Sequence, residues 1–320
     1  MERANRTQLP VRLQLADGES GLGYALRALR ANGIAFHVGM KWLSLTRFHP
    51  IDRDAARRIA WALNVDSDQW ARRVAMVEPG RAGWVRLAGL RLRRHVASTK
   101  LYAKLCPQCV RETGIVRLSW LLRASVGCPH HGYSLIWSCR RCGERIGWDR
   151  PDVDICRCGF PFQAVGATAL EPNVLAWQLW LEAALNIESV TCSMSDSLPT
   201  VFDHLSPDGA FRVLEALGIY EESNSSARQA IASCTTPQQI GATLSRGIAR
   251  LRAIEASPED AAPFAALTHQ SAIVELAKDH ACSADHAIAW WLLAVFRSNG
   301  VPSKTRAGLR PKGQLPLFLP

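Results

Sequence analysis

The 320-residue sequence has no apolar run near the roughly 20 residues that a membrane-spanning helix requires. Its opening, Met1-Glu2-Arg3-Ala4-Asn5-Arg6, is polar and leads into no apolar signal core, so the expectation is a cytoplasmic protein. No internal repeat and no low-complexity tract is visible. Catalytic signatures are missing as well. There is no GxxxxGK phosphate loop closed by Ser or Thr, no GxSxG elbow, no HExxH helix, and no His followed two residues later by Glu, as a zinc deaminase would need. The expectation is therefore a protein that is not an enzyme. Acidic residues are also in deficit, with 28 Asp+Glu against 38 Lys+Arg.

That deficit is uneven. Residues 1–160 hold 27 Lys+Arg against 13 Asp+Glu, whereas residues 161–320 hold 11 against 15. A basic front half suits a polyanion such as DNA, although a solvated basic face has the same composition.

The basic half also carries most of the cysteine. Four ligand pairs follow one another: Cys106-Pro-Gln-Cys109, Cys128-Pro-His-His131, Cys139-Arg-Arg-Cys142 and Cys156-Arg-Cys158. A Cys-x2-Cys turn aims two sulfurs at one point, and two such turns complete a tetrahedron about a zinc ion. In a reducing compartment, metal binding explains clustered cysteines better than disulfides do. The expectation is two structural zinc ions per chain, each closed by four protein ligands. Two points stay open at this level: the pairs could combine consecutively or interleave, and His130 could replace His131. Cys192, Cys234 and Cys282 stand apart in apolar surroundings and read as core thiols.

Around this segment the periodicity is helical. Ser20 caps a helix carrying Leu22, Ala25, Leu26 and Leu29, which Asn32-Gly33 stops. Asp52 opens a helix with Ala56, Ile59, Ala60 and Leu63 on one face. Asn64 then tolerates a left-handed turn, and a second helix restarts at Asp66 or Ser67 and runs through Trp70, Val74 and Val77. This pair is helix-turn-helix-like. Asp52, Asp54, Asp66 and Asp68 read as capping residues, not as a cation site. Trp84 to Lys104 reads as a basic connector or a phosphate-binding stripe. The candidate DNA contacts are Arg72, Arg73, Arg91, Arg93, Arg94, Arg140 and Arg141.

The back half signals helix starts by a cap followed by proline, at Ser206-Pro207, Thr236-Pro237 and Ser257-Pro258. Leu175 to Leu185, with Trp177 and Trp180, and Ala287 to Val295, with Trp290 and Trp291, form further apolar helices. A basic tail runs from Pro302 to Pro320. The expected fold is mainly α with a small β-containing double zinc-finger module. Its parts are a helix-turn-helix-like region at 1–105, a tandem zinc module at 106–164 and a C-terminal all-helical domain at 165–320.

These residues together resemble the TniQ family of transposition proteins, which includes the TnsD target selectors. One match is Leu9-Pro10-Val11-Arg12 with Gly18-Glu19-Ser20 and the helix from Leu22 to Arg30. The other is the ordered series Cys106-Pro107-x-Cys109, Trp120, Cys128-Pro129-x-His131-Gly132, Cys139-x2-Cys142-Gly143 and Cys156-x-Cys158-Gly159. The resemblance implies a non-catalytic adaptor that helps choose the insertion site. It would link DNA, or a DNA-bound targeting complex, to an AAA+ ATPase regulator of the TniB or TnsC kind. A transposase, an RNA-guided targeting complex and a second copy of the chain are further candidate partners. A zinc-containing helix-turn-helix transcriptional regulator is the alternative.

Overall fold

A computed structural model of the chain describes residues 7–43, 50–96, 102–162, 168–185, 198–221 and 235–299. Two compact units emerge: residues 1–170 with 178–191, and residues 171–177 with 192–320. Cys192, Cys234 and the tail from Pro302 lie outside the described residues, as does Lys100.

In the first unit, helix α1 (Gly21–Ala31) starts where the Ser20 hydroxyl accepts the Gly23 amide. Leu26 and Leu29 are buried along it, with Tyr24 and Ala25 beside them. The glycines of its first turn answer to close packing. A Cβ on Gly21 would strike the Val74 side chain, and one on Gly23 would come within 2.9 Å of Val116. Helix α2 (Phe36–Trp42) follows, and then the expected helix pair, α3 (Arg53–Ala62) and α4 (Ser67–Ala71). Asp52 caps α3 by accepting the Ala55 amide, and Asp66 caps α4 by accepting those of Asp68 and Gln69. Asn64 between them takes φ +56°, the left-handed conformation that asparagine tolerates better than most residues.

Helix α4 is shorter than its apolar spacing predicts and ends before Val74 and Val77. Tertiary bonds capture the carbonyls that would extend it: Arg73 O accepts from Gly21 N at 2.7 Å and Arg72 O from Ala88 N at 3.0 Å. The chain then turns into a strand, β1 (Met76–Val77). The stretch expected as a basic connector is instead a hairpin, β2 (Trp84–Leu87) and β3 (Leu90–Arg93), antiparallel to each other, with β1 added to β2. Ala88 and Gly89 at its tip both have positive φ, at +52° and +84°, as a type I′ turn requires. Val85, Leu87 and Leu92 are buried, while Arg86 and Arg91 pair across the strands on the outer side. The alternation of arginines with Val85, Leu87, Leu90 and Leu92 is the period of two of a half-buried strand pair.

The metal-ligand segment is packed on α1. Ser20 N donates to Val116 O at 2.8 Å and Leu118 N to Gly18 O at 2.8 Å. Trp120, Trp148 and Phe162 fill its interior. Buried Lys104 donates to the carbonyls of Leu122 (2.5 Å), Arg123 (3.5 Å) and Ser125, clamping a loop that no regular element holds.

The second unit is helical. Helix α6 (Pro172–Ala184) gives it residues 172–177. There follow α7 (Pro207–Gly218), α8 (Pro237–Ala256), α9 (Ala262–Ala266), α10 (Gln270–Ala277) and α11 (Ser283–Ser298). Ser206 and Thr236 cap α7 and α8 as expected, the latter in a full capping box with Gln239. Ser257-Pro258 instead opens one 3-10 turn, Pro258–Asp260, and Ser257 makes no side-chain cap bond. Helices α7 and α8 approach through glycine. A Cβ on Gly218 would overlap the Thr243 carbonyl, and one on Gly247 the Leu214 carbonyl. Trp177 is fully buried against Phe202 and Phe211, with ring centroids 6.1 and 6.5 Å away. Trp290 and Trp291 are half-buried, as is Cys282, which is therefore not the core thiol its apolar neighbours suggested.

Candidate metal centre

The first ligand pair sits at the start of helix α5 (Pro107–Thr113), with Cys106 as its N-cap and Pro107 in its first turn. Proline is favoured there because its missing N–H is not needed by the helix and its φ is already helical. Cys109 thus lies one turn from Cys106 on the same side. The second pair follows the short strand β4 (Gly127–Cys128), which pairs with β5 (Tyr133–Ser134). Between the strands Gly132 N returns to Cys128 O at 2.9 Å.

The remaining pairs fold by the same local rule. Gly143 N donates to Cys139 O and Gly159 N to Cys156 O, each at 2.8 Å. Gly132, Gly143 and Gly159 all follow the last ligand of their pair and all adopt positive φ, from +66° to +81°. A side chain at these positions would strain the turn that points two ligands inward.

The pairs combine consecutively. Cys106, Cys109, Cys128 and His131 converge in one cluster and Cys139, Cys142, Cys156 and Cys158 in another, the ligand atoms of each lying within 4.8 Å of one another. In the first, His131 turns Nδ1 toward the sulfurs, 3.2 Å from Cys109, and 3.5 Å from Cys106 and from Cys128. Its Nε2 meets the Glu112 carboxylate at 3.0 Å. His130 points elsewhere, its Nε2 being 3.5 Å from the buried Glu182. In the second cluster the Sγ separations are 3.7 Å for Cys139–Cys158 and 3.8 Å for Cys142–Cys156. A zinc ion about 2.3 Å from four sulfurs would hold them about 3.8 Å apart, so this donor set fits a tetrahedral ion.

Electrostatics point the same way. Without a cation, thiols this close cannot all ionise. Hydrogen bonds from Cys109 and then Cys128 hold Cys106 as a thiolate, down to about 2, while the Cys106 thiolate pushes Cys109 up to about 12. Burial raises Cys156 to about 12. At Cys139 burial acts upward too, but the Cys142 and Arg141 amides outweigh it and lower the thiol to about 7. A divalent ion removes this conflict by stabilising every thiolate at once. The two clusters fit a double zinc-binding module in which each ion would have four protein ligands.

The candidate DNA contacts lie on separate elements. Arg72 is exposed at the end of α4, whereas Arg73 is tied into the fold, donating from Nη1 to Ala16 O (2.6 Å) and Glu19 O (3.2 Å). Arg91 Nε meets Glu78 at 3.1 Å, and Glu78 also receives Arg86. Arg93 stacks on Trp84 at 4.4 Å, and Arg94 is half-buried beside it in sequence. Arg140 and Arg141 are exposed between two ligands of the second cluster. Two residues close to the clusters are absent from the sequence-based site, Glu112 against His131 and Arg150 in the cavity lining beside Cys156. Glu112 had a signal, standing one turn beyond Cys109 on α5; Arg150 had none.

No helix among the described residues is long and apolar enough to cross a membrane. A search of curated proteins returns no match to the chain. The model of the TniQ family matches residues 10–135, a stretch running from the chain's entrance into α1 through the whole first cluster, and over that stretch the chain is similar to TniQ-family proteins.

Proposed function

We propose that the chain is a non-catalytic target-selection adaptor of bacterial DNA transposition, linking DNA or a DNA-bound targeting complex to an AAA+ ATPase regulator and its transposase. The observation that carries this reading is the TniQ match over residues 10–135 ending on a cluster whose four ligands leave no position for a reacting water. Zinc at the two clusters would be structural, supplying cross-links between segments that no sheet or long helix joins. In this reading the region up to residue 105 docks the ATPase partner, residues 106–164 set the geometry, and the helical part beyond 165 makes target-specific contacts. Exposed Arg72, Arg91, Arg140 and Arg141 would meet phosphates.

The decisive experiment is reconstitution: purified chain, AAA+ regulator and DNA should form a ternary complex that directs insertion. DNA affinity should fall steeply with salt, because phosphate contacts release counterions. A chain that binds DNA at a promoter and ignores every transposition ATPase would instead favour the transcriptional regulator. The helix pair α3–α4, with its left-handed Asn64 linker, supports that second reading.

A further inference from the structure

A cavity of about 520 Å³ lies beside the second cluster, and Cys142, Cys156 and Cys158 share its lining with Arg145, Arg150 and Phe162. Arg150 is unusual among these. Only 4% of it is exposed, yet its guanidinium has few acceptors. Nε donates to Asp152 O at 3.0 Å and Nη1 to Gly147 O at 2.7 Å, both neutral carbonyls. Nη2 is buried and has no hydrogen-bond partner among the described residues. One face of the group rests on Trp148 at 5.2 Å.

A buried cation is stable only when negative charge near it offsets its lost hydration. Two acidic groups act on Arg150 when charged: Cys156, which a bound ion would hold as a thiolate, and, more weakly, Asp154. Burial otherwise disfavours the charged guanidinium and lowers it to about 10. Four thiolates around one divalent ion carry a net charge of −2, whereas three thiolates and a neutral histidine carry −1. Each cluster has a buried arginine acting on one of its cysteines, Arg117 on Cys109 in the first and Arg150 on Cys156 in the second, and Arg150 serves the cluster with the larger surplus.

We infer that Arg150 is the counter-charge of the Cys139, Cys142, Cys156 and Cys158 cluster, offsetting its surplus negative charge and thereby setting how tightly that cluster retains its ion. The inference rests on the metal reading of the clusters. Arg150 touches no metal in this scheme. It is a positioning residue that acts through the thiolates.

The test uses the full-length protein loaded with zinc and titrated with a chelator. Released cysteines are alkylated and mapped by peptide mass spectrometry, so that each cluster reports separately. Arg150→Met should make the second cluster surrender zinc at a chelator concentration lower by about 10- to 100-fold, the usual effect of losing an outer partner, with the first cluster unchanged. Arg150→Lys, which keeps the charge, should stay close to wild type. An unchanged release curve for Arg150→Met overturns the inference. So does wild-type retention in Arg150→Met/Asp154→Asn, which would show that the arginine serves Asp154 and not the cluster. If Arg150→Met fails to fold, Arg150→Lys decides: retained zinc supports the role of charge, and a tenfold loss refutes it. Wild-type protein with no zinc at either cluster would instead sink the metal reading itself.

Discussion

The two clusters share a turn geometry but differ in nearly everything around it. The first is buried, combines three sulfurs with one imidazole, and has a carboxylate behind its histidine. The second is all sulfur, exposes Cys142 and Cys158, and has a buried arginine at its side. The first also sits among the segments that bond to α1 through Val116 and Leu118. One site is therefore part of the core of its unit, and the other is closer to a clasp at its surface. An acid supports the imidazole of the first cluster, and a buried arginine acts on one cysteine of each, Arg117 on Cys109 and Arg150 on Cys156.

This contrast can be broken from several directions. The largest effect should come from Cys109→Ser, which leaves the buried cluster with three good ligands. It should cost several kcal/mol and appear as aggregation or loss of the cooperative melting transition. Cys158→Ser should lose one zinc by elemental analysis while the first unit still melts cooperatively. Equal damage from both substitutions would erase the distinction between core site and clasp. Chelator titration of the wild type should empty the exposed cluster first, and simultaneous release would count against the same distinction.

Lys104→Met removes the donor that serves three carbonyls without touching a ligand. It should destabilise by roughly 1–3 kcal/mol in denaturant unfolding, with zinc content unchanged. Glu112→Gln should weaken zinc at the first cluster by about tenfold and leave the second as it was, read by the same alkylation mapping. The smallest effect belongs to Asp52→Ala, which strips the cap from α3 and should cost about 1 kcal/mol with both clusters intact.

The ligand spacing was legible in the sequence because a knuckle is a local object: three or four residues specify it, with a glycine following in three of the four pairs. Helix starts were legible for the same reason at Ser20, Asp52, Asp66, Ser206 and Thr236, where a side chain within three residues satisfies the first amides. What escaped depends on distant partners. Helix α4 stops because Gly21 and Ala88, far away in sequence, take the carbonyls of Arg73 and Arg72. The hairpin was not legible because arginines alternating with Val85, Leu87, Leu90 and Leu92 suit a basic stripe on an apolar surface as well as a strand pair. Ser257 looks like the other caps, but the chain after it makes only one 3-10 turn before Ala261 and α9. Arg150 could not have been found at all, since only the fold buries it beside Cys156.

The central claim is that the eight ligands hold two ions, and native mass spectrometry of the full chain tests it most directly. The account predicts a mass increment of two zinc ions that is lost in two separable steps as chelator is added. A chain that carries one ion or none, or that gives up both together, would contradict it.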